Sequence, residues 1–154
     1  MKISEVLSID KVVPELKGNT KTEIIDELIE LFKDDERVLD IEKVKSAVYE
    51  REKIMSTGVG HGFGIPHCKT NAVTEIIAAF GKTKKPVEFD ALDGEPVNMV
   101  FLLIGKDNLV AAHIKLLSKI SHMMNKPEFR EKILVSKTAE EIYSLFIEEE
   151  KNIT

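Results

Sequence analysis

The stretch Val97-Asn98-Met99-Val100-Phe101-Leu102-Leu103-Ile104 decides how this chain folds. From Met99 to Ile104 no polar residue interrupts it, as expected of a central strand covered on both faces. It is far too short to cross a bilayer, which takes about 20 apolar residues. Upstream, Ile76 to Phe80 is a second such run, Val87-Glu88-Phe89 reads as a shorter strand, and Asp93-Gly94 marks a turn. Downstream, from Asn108, the period becomes helical: Leu109, Ala112, His113, Leu116, Leu117, Ile120 and Met123 form one stripe. Pro127 opens a short helix to about Val135, and a last helix begins near Thr138, with Glu140 and Glu141 in its first turn, and fades into the charged tail. Towards the N-terminus, Ile24, Leu28, Leu31 and Phe32 predict an amphipathic helix over 20–33, with Thr20 and Glu23 at capping-box spacing. A further helix runs from an Asp40 N-cap to about Lys53, with Ile41, Val44, Val48 and then Arg51 on its inward stripe. Residues 3–16 predict one short strand ending near Pro14. Helices, then strands, then helices give an α/β sandwich around a mixed sheet and not a strict βαβ repeat.

At 154 residues the chain has the length of one domain able to bury a proper core. Lys and Arg total 22 against 27 Asp and Glu, a net charge of −5 with no basic stripe, so nucleic acid is not the expected ligand. A single cysteine rules out an internal disulfide and fits a reducing compartment. Glu5 stands where a signal peptide needs an apolar stretch. The expectation is a cytoplasmic domain with no direct membrane insertion.

Chemistry concentrates in Gly58-Val59-Gly60-His61-Gly62-Phe63-Gly64-Ile65-Pro66-His67. Glycine at every second position strips one edge of this loop of side chains, and Pro66 stiffens the backbone before a histidine. Neither nucleotide-loop pattern fits. Phe63, Ile65 and His67 occupy the third-glycine position of the dinucleotide fingerprint in its three registers, and Phe63 and Cys68 replace both glycines of a Walker A loop. Taken alone, His67 reads equally as a turn histidine bonded to nearby backbone or as a working group. Arg51 and His113 alter that balance, because each lies on the apolar stripe of its own helix, where a charged or polar group needs a partner or a site. Separately, Arg51 also reads as a snorkelling side chain and His113 as a satisfied core histidine. If the three converge, a neutral imidazole at His67 accepts a phosphoryl group, Arg51 forks onto its oxygens, and His113 either donates a hydrogen bond to one of those oxygens or holds the ring of His67. Amides from Gly58 to Gly64 and the hydroxyls of Ser56 and Thr57 would add donors. His61 reads as a rim residue and His122 as exposed. A zinc site from His61, His67, His113 and Cys68 lacks the ligand spacing of zinc motifs.

The run from Arg51-Glu52 through Ser56-Thr57-Gly58-Val59-Gly60 to Ile65-Pro66-His67 resembles the signature of mannitol/fructose-type enzyme IIA domains of the bacterial phosphoenolpyruvate-dependent sugar phosphotransferase system. So do Phe89-Asp90-Ala91-Leu92-Asp93-Gly94-Glu95-Pro96-Val97, Phe101 to Ile104, His113 to Leu117, and Asn125 to Arg130, in order along nearly the whole chain. The resemblance implies one domain over 1–154, a sandwich with a mixed sheet of about five strands between helices, and a phosphohistidine carrier. Its phosphorylated histidine falls on His67, its assisting histidine on His113 and its arginine on Arg51. The implied donor is the carrier HPr and the implied acceptor an enzyme IIB domain, with neither ATP nor a metal required. Gly64 and Cys68 depart from an alanine and a glycine usual in the pattern. If exposed, Cys68 would make the site sensitive to oxidation. A nitrogen-type regulatory member, whose phosphorylation state controls binding to other proteins, shares the same chemistry, and a binding module without catalysis is the third alternative. The expected partner surface is an apolar rim of Phe63, Ile65 and Val59.

Overall fold

The computed structural model describes residues 1–153. Two single 3₁₀ turns, Ile3–Glu5 and Ile9–Lys11, lead into β1 (Val12–Leu16), α1 (Lys21–Glu30) and α2 (Ile41–Ile54). Next come β2 (Gly58–Gly60), β3 (Phe63–Gly64), β4 (His67–Thr70), β5 (Ile77–Val87) and β6 (Val97–Lys106), and then α3 (Val110–Met124), α4 (Pro127–Val135) and α5 (Ala139–Ile153). The helix starts follow their caps. Thr20 Oγ1 accepts from the Glu23 amide at 3.2 Å, and Asp40 Oδ1 accepts from the Lys43 amide at 3.2 Å. The Glu23 carboxylate reaches the amide of Asn19, at 2.9 Å, one residue before the cap.

The sheet is mixed and six-stranded, in the order β1-β5-β6-β3-β2, with β4 also on β6. β1 runs parallel to β5, β5 antiparallel to β6, and both β3 and β4 parallel to β6. Side chains alternate along the two long strands. Ala78, Phe80, Phe101 and Leu103 face α3, α4 and α5, while Ile77, Ala79, Leu102 and Ile104 face α1 and α2. On the first side Phe146 of α5 sits edge-on to Phe80, Phe101 and Phe129, with ring centroids 5.0, 5.5 and 5.4 Å apart. The chain is therefore an α/β sandwich with helices on both faces of the sheet. No helix among the described residues is long and apolar enough to cross a membrane.

Four local expectations change. The glycine stretch is built from strands as well as loop: Gly60 pairs with Phe63 across a two-residue turn in which His61 (φ 57°) and Gly62 (φ 77°) both have positive φ. That mirror-image turn is the one whose twist suits a tight hairpin. Val87-Glu88-Phe89 is not a strand of its own. β5 runs on through its polar half to Val87, where the chain leaves the sheet, and Asp90 then takes a positive φ of 54°. Pro14 lies inside β1 and does not end it, a position allowed because β1 is an edge strand with β5 as its neighbour. At the other end, α5 continues through the charged tail to Ile153, where buried Glu150 takes the Ile3 amide at 2.8 Å and Lys119 Nζ at 2.7 Å.

Candidate functional site

β3 and β4 act as one strand broken at Ile65-Pro66. Both lie parallel to β6, and the Leu103 amide bonds the Pro66 carbonyl at 3.0 Å, which keeps the register across the break. His67 therefore opens β4 opposite Leu103, on a strand with β6 on one side only. α2 packs over this edge from one layer of the sandwich and α3 from the other. Between them is a cleft of about 590 Å³ lined by Arg51 from the last turn of α2, His67 and Lys69 from β4, and His113 from the first turn of α3. Ile54, Ile114 and Leu117 complete its apolar wall. A second depression of about 750 Å³ lies at Lys11, Asp35 and Arg37, where Asp35 is already engaged: Arg37 meets it at 2.7 Å and Lys11 at 3.7 Å.

The two imidazoles face each other across the cleft with centroids 5.9 Å apart and planes inclined at 47°. His67 Nδ1 lies 2.8 Å from the Ile65 carbonyl. A carbonyl oxygen only accepts, so Nδ1 carries the proton and Nε2 keeps a free lone pair. His113 is 2% exposed, and its Nδ1 is buried with no hydrogen-bond partner. That nitrogen presses against Gly105, where a Cβ would stand only 2.2 Å away, so Nε2 is the nitrogen left to serve the cleft. Burial pushes the His113 pKa down to about 4, helped by charge on His67 and Lys69. Burial likewise holds His67 below its ordinary value. The Arg51 and Lys69 charges add to this, against the Ile65 carbonyl and Glu52, which favour the protonated ring. Arg51 Nη1 donates to the Met55 carbonyl at 2.8 Å, which ties the guanidinium over the end of its own helix. The result is a pair of neutral imidazoles beside two cationic side chains, an arrangement suited to a small anion.

Arg51, His67 and His113 are thus brought to one cleft, whereas several neighbours serve elsewhere. The Ser56 hydroxyl donates to the Phe89 carbonyl at 2.6 Å and the Thr57 hydroxyl to Glu52, so neither is free for a ligand. The Gly58 amide bonds Ser56 Oγ at 3.0 Å and the Ile65 amide bonds the Thr57 carbonyl at 2.9 Å, so these loop amides are also engaged. Phe63 and Ile65 are core residues, because β3 is an inner strand whose side chains face the sandwich; of the expected rim, Val59 alone is exposed. Ile54, Met55, Leu109, Val110 and Ile114 are exposed apolar residues at the ends of α2 and α3. Cys68 packs into the α1–α2 layer and also lines the wall of the cleft, but it is buried and burial pushes its thiol up to about 12, so the exposure that would make the site sensitive to oxidation is not met. His61 is exposed in the hairpin turn with its amide on Asp93 at 3.0 Å, and His122 is exposed on α3. Among the described residues no group of three metal-ligating side chains converges. Sequence reading passed over Lys69, although strand alternation puts it on the same face as His67. It also passed over Gly105, which no local pattern distinguishes, and Glu52, whose side chain is 7% exposed one turn beyond Val48.

The family model for the phosphoenolpyruvate-dependent sugar phosphotransferase system, EIIA 2, matches residues 5–149. The fructose-specific EIIABC component of Bacillus subtilis is 30% identical over 151 residues, which cover 98% of this chain but 24% of that protein's length. The crystal structure of nitrogen regulatory protein IIA-Ntr from Neisseria meningitidis aligns with a TM-score of 0.87 at 31% identity, over 94% of this chain and 98% of that one. In fold alone, IIA mannitol of Escherichia coli, solved in complex with phosphorylated IIB mannitol, is also similar: TM-score 0.79, 18% identity, 92% and 97% coverage. By the family match across nearly its whole length and by relatives with both sugar-transport and nitrogen-regulatory names, this chain belongs to the type 2 enzyme IIA family of the phosphoenolpyruvate-dependent phosphotransferase system.

Proposed function

We propose that the chain is a single-domain histidine phosphocarrier that takes a phosphoryl group on His67 from HPr and hands it to an enzyme IIB domain for sugar uptake. The observation that carries this reading is the His67 Nδ1–H bond to the Ile65 carbonyl, which leaves Nε2 as the nucleophile. The Nε2–P bond forms as the donor's N–P bond breaks, and the electron pair returns to the donor ring. Positive charge that develops on the His67 ring is stabilised at Nδ1–H by the carbonyl, and charge on the phosphoryl oxygens by the Arg51 guanidinium. His113, neutral and with Nε2 turned to the cleft, donates to one oxygen. The transfer to a IIB domain runs the same steps in reverse. A IIB partner is supported by the Escherichia coli complex and by the Bacillus relative, in which the EIIA name is joined to B and C. A cytoplasmic location is part of the same reading. The alternative, a nitrogen-type regulator whose phosphorylation state controls binding to other proteins, is supported by the likeness to the Neisseria protein.

Incubation with phosphoenolpyruvate, enzyme I and HPr, followed by intact mass measurement, tests the reading. One added, acid-labile phosphoryl group is expected, and none in His67→Ala. Full labelling of His67→Ala would show that the acceptor lies elsewhere. Onward transfer to a IIB domain favours the transport reading, and retention of the label in its presence favours the regulatory one.

A further inference from the structure

Glu52 lies outside the cleft, yet its carboxylate is nearly as deeply covered as the core. A buried carboxylate persists only with partners. Glu52 has three: Lys21 Nζ at 2.7 Å, the Thr57 amide at 3.3 Å, and the Thr57 hydroxyl. Lys21 is itself held by the Phe89 carbonyl at 3.2 Å and lies over the Phe89 ring, 5.1 Å from its centroid. Four segments of the chain are thereby knotted beside the glycine hairpin, and Thr57 is fixed at both its amide and its side chain. What Thr57 holds in turn is the site. Its carbonyl accepts the Ile65 amide at 2.9 Å, and the Ile65 carbonyl accepts His67 Nδ1–H at 2.8 Å. Every link in the series Lys21, Glu52, Thr57, Ile65, His67 is a hydrogen bond or an ion pair, and successive bonds in such a chain polarise one another.

We propose that Glu52, anchored by Lys21, is a positioning residue that sets the tautomer and orientation of His67 through Thr57 and the Ile65 peptide. The proposal rests on reading His67 as the phosphoryl acceptor. With Thr57 fixed, the Ile65 peptide has its N–H engaged and its carbonyl aimed at Nδ1, so the ring proton stays there and Nε2 remains a nucleophile. With Thr57 released, the Ile65 peptide can turn, the acceptor for Nδ1–H is lost, and the proton is free to settle on Nε2, which ends the lone pair the transfer needs. A plain brace between α1 and α2 would make the same ion pair but would leave the ring proton where it is.

The test is imidazole nitrogen NMR of the full chain at a pH where His67 is neutral, alongside single-turnover uptake from phospho-HPr. Wild type should show His67 protonated at Nδ1. Thr57→Val, which keeps the side-chain shape and loses the hydroxyl, and Glu52→Gln should each move a measurable fraction of the proton to Nε2. Both should slow uptake about ten- to a hundredfold, by analogy with the range seen when the hydrogen-bond partner that orients a metal-ligating histidine is removed. Thr57→Ser, which retains the hydroxyl, should return the Nδ1–H signature. Folded variants with an unchanged tautomer overturn the proposal, including the case in which only thermal stability falls. If Glu52→Gln does not fold, Thr57→Val decides alone. The tautomer measurement involves no phosphoryl transfer, so it stands even if His67 is not the acceptor, and the mass experiment on His67→Ala identifies that failure separately.

Discussion

Gly105→Ala should cripple phosphoryl transfer while leaving the fold standing. The added Cβ would meet His113 Nδ1 at 2.2 Å, Cε1 at 2.9 Å and Cγ at 3.0 Å. Non-bonded heavy atoms settle at about 3.5 Å or more, so one side must retreat by roughly 1.3 Å. The strand cannot do so cheaply, because β6 is paired on both edges and Gly105 itself stands opposite Lys69 of β4. The ring has to move. Overpacking of this size costs about 1–3 kcal/mol of stability. A misplacement of about 1 Å at a working group can cost about a hundredfold in rate. Rapid-quench measurement of transfer from phospho-HPr reads the second number, and a urea titration reads the first.

The double mutant isolates the cause. In a His113→Ala background the clashing ring is gone, so adding Gly105→Ala should slow transfer no further, a coupling of about 2.7 kcal/mol if the single effect is a hundredfold. Two results would refute the reasoning. A folded Gly105→Ala protein that transfers at the wild-type rate shows that the position of His113 does not matter. An equal slowing with and without His113 shows that the damage runs through β6.

Other substitutions and conditions address the remaining parts of the site. Arg51→Ala should lower the single-turnover rate about a hundredfold, as loss of a donor to developing charge does, and Arg51→Lys should recover only part of it because the planar fork is lost. Stability should fall as pH drops from 6.5 towards 4, because the unfolded chain protonates His113 at about 6.5 whereas the folded chain waits until about 4. The unfolded state binds more protons across that window, so this single group contributes up to about 1.4 kcal/mol per pH unit, and urea midpoints for His113→Gln should show a shallower acid slope. The native protein's Cys68 should resist iodoacetamide and peroxide at neutral pH, since its thiol is buried and pushed up to about 12; phosphoryl uptake should be unchanged after peroxide, and thiol labelling should appear only on unfolding.

The architecture was legible wherever side-chain pattern dictates structure. Apolar runs marked β5 and β6, and caps at Thr20 and Asp40 marked the helices to within a few residues. It was illegible where backbone alone does the pairing. Four glycines leave no alternation to read, so β2 and β3 were hidden, and Lys82 to Pro86 hid the second half of β5 beneath polar residues. The same limit governs the site. A helical wheel puts Arg51 near the inward stripe of α2, but the carboxylate that is buried belongs to the next residue, Glu52, because Lys21 from another helix is there to receive it. No local pattern discloses a partner 31 residues away in sequence. Gly105 is invisible for a related reason, since its role is to be empty space for a ring arriving from α3.

If His67 carries the phosphoryl group as proposed, it must give the group up as readily as it takes it, and the edge of β4 suits both demands. The acceptor ring has to reach another protein's phosphohistidine, so it cannot be sealed in, and it has to be neutral to attack. Partial burial with Arg51 and Lys69 beside it lowers the basicity of His67, which keeps Nε2 unprotonated. Lower basicity also weakens the ring's hold on phosphorus, because a less basic nitrogen is a better leaving group when the next acceptor attacks. The Ile65 carbonyl works in the other direction: it stabilises the charged ring formed on attack and so prevents the depressed basicity from making His67 a poor nucleophile. On the proposed reading, transfer in both directions at His67 rests on that opposition, with burial, Arg51 and Lys69 on one side and the Ile65 carbonyl and Glu52 on the other. A variant that removes either side should therefore bias the protein towards accepting or towards donating, and comparing uptake from phospho-HPr with discharge to unphosphorylated HPr in Arg51→Ala and Thr57→Val would expose the bias as a changed ratio of the two rates.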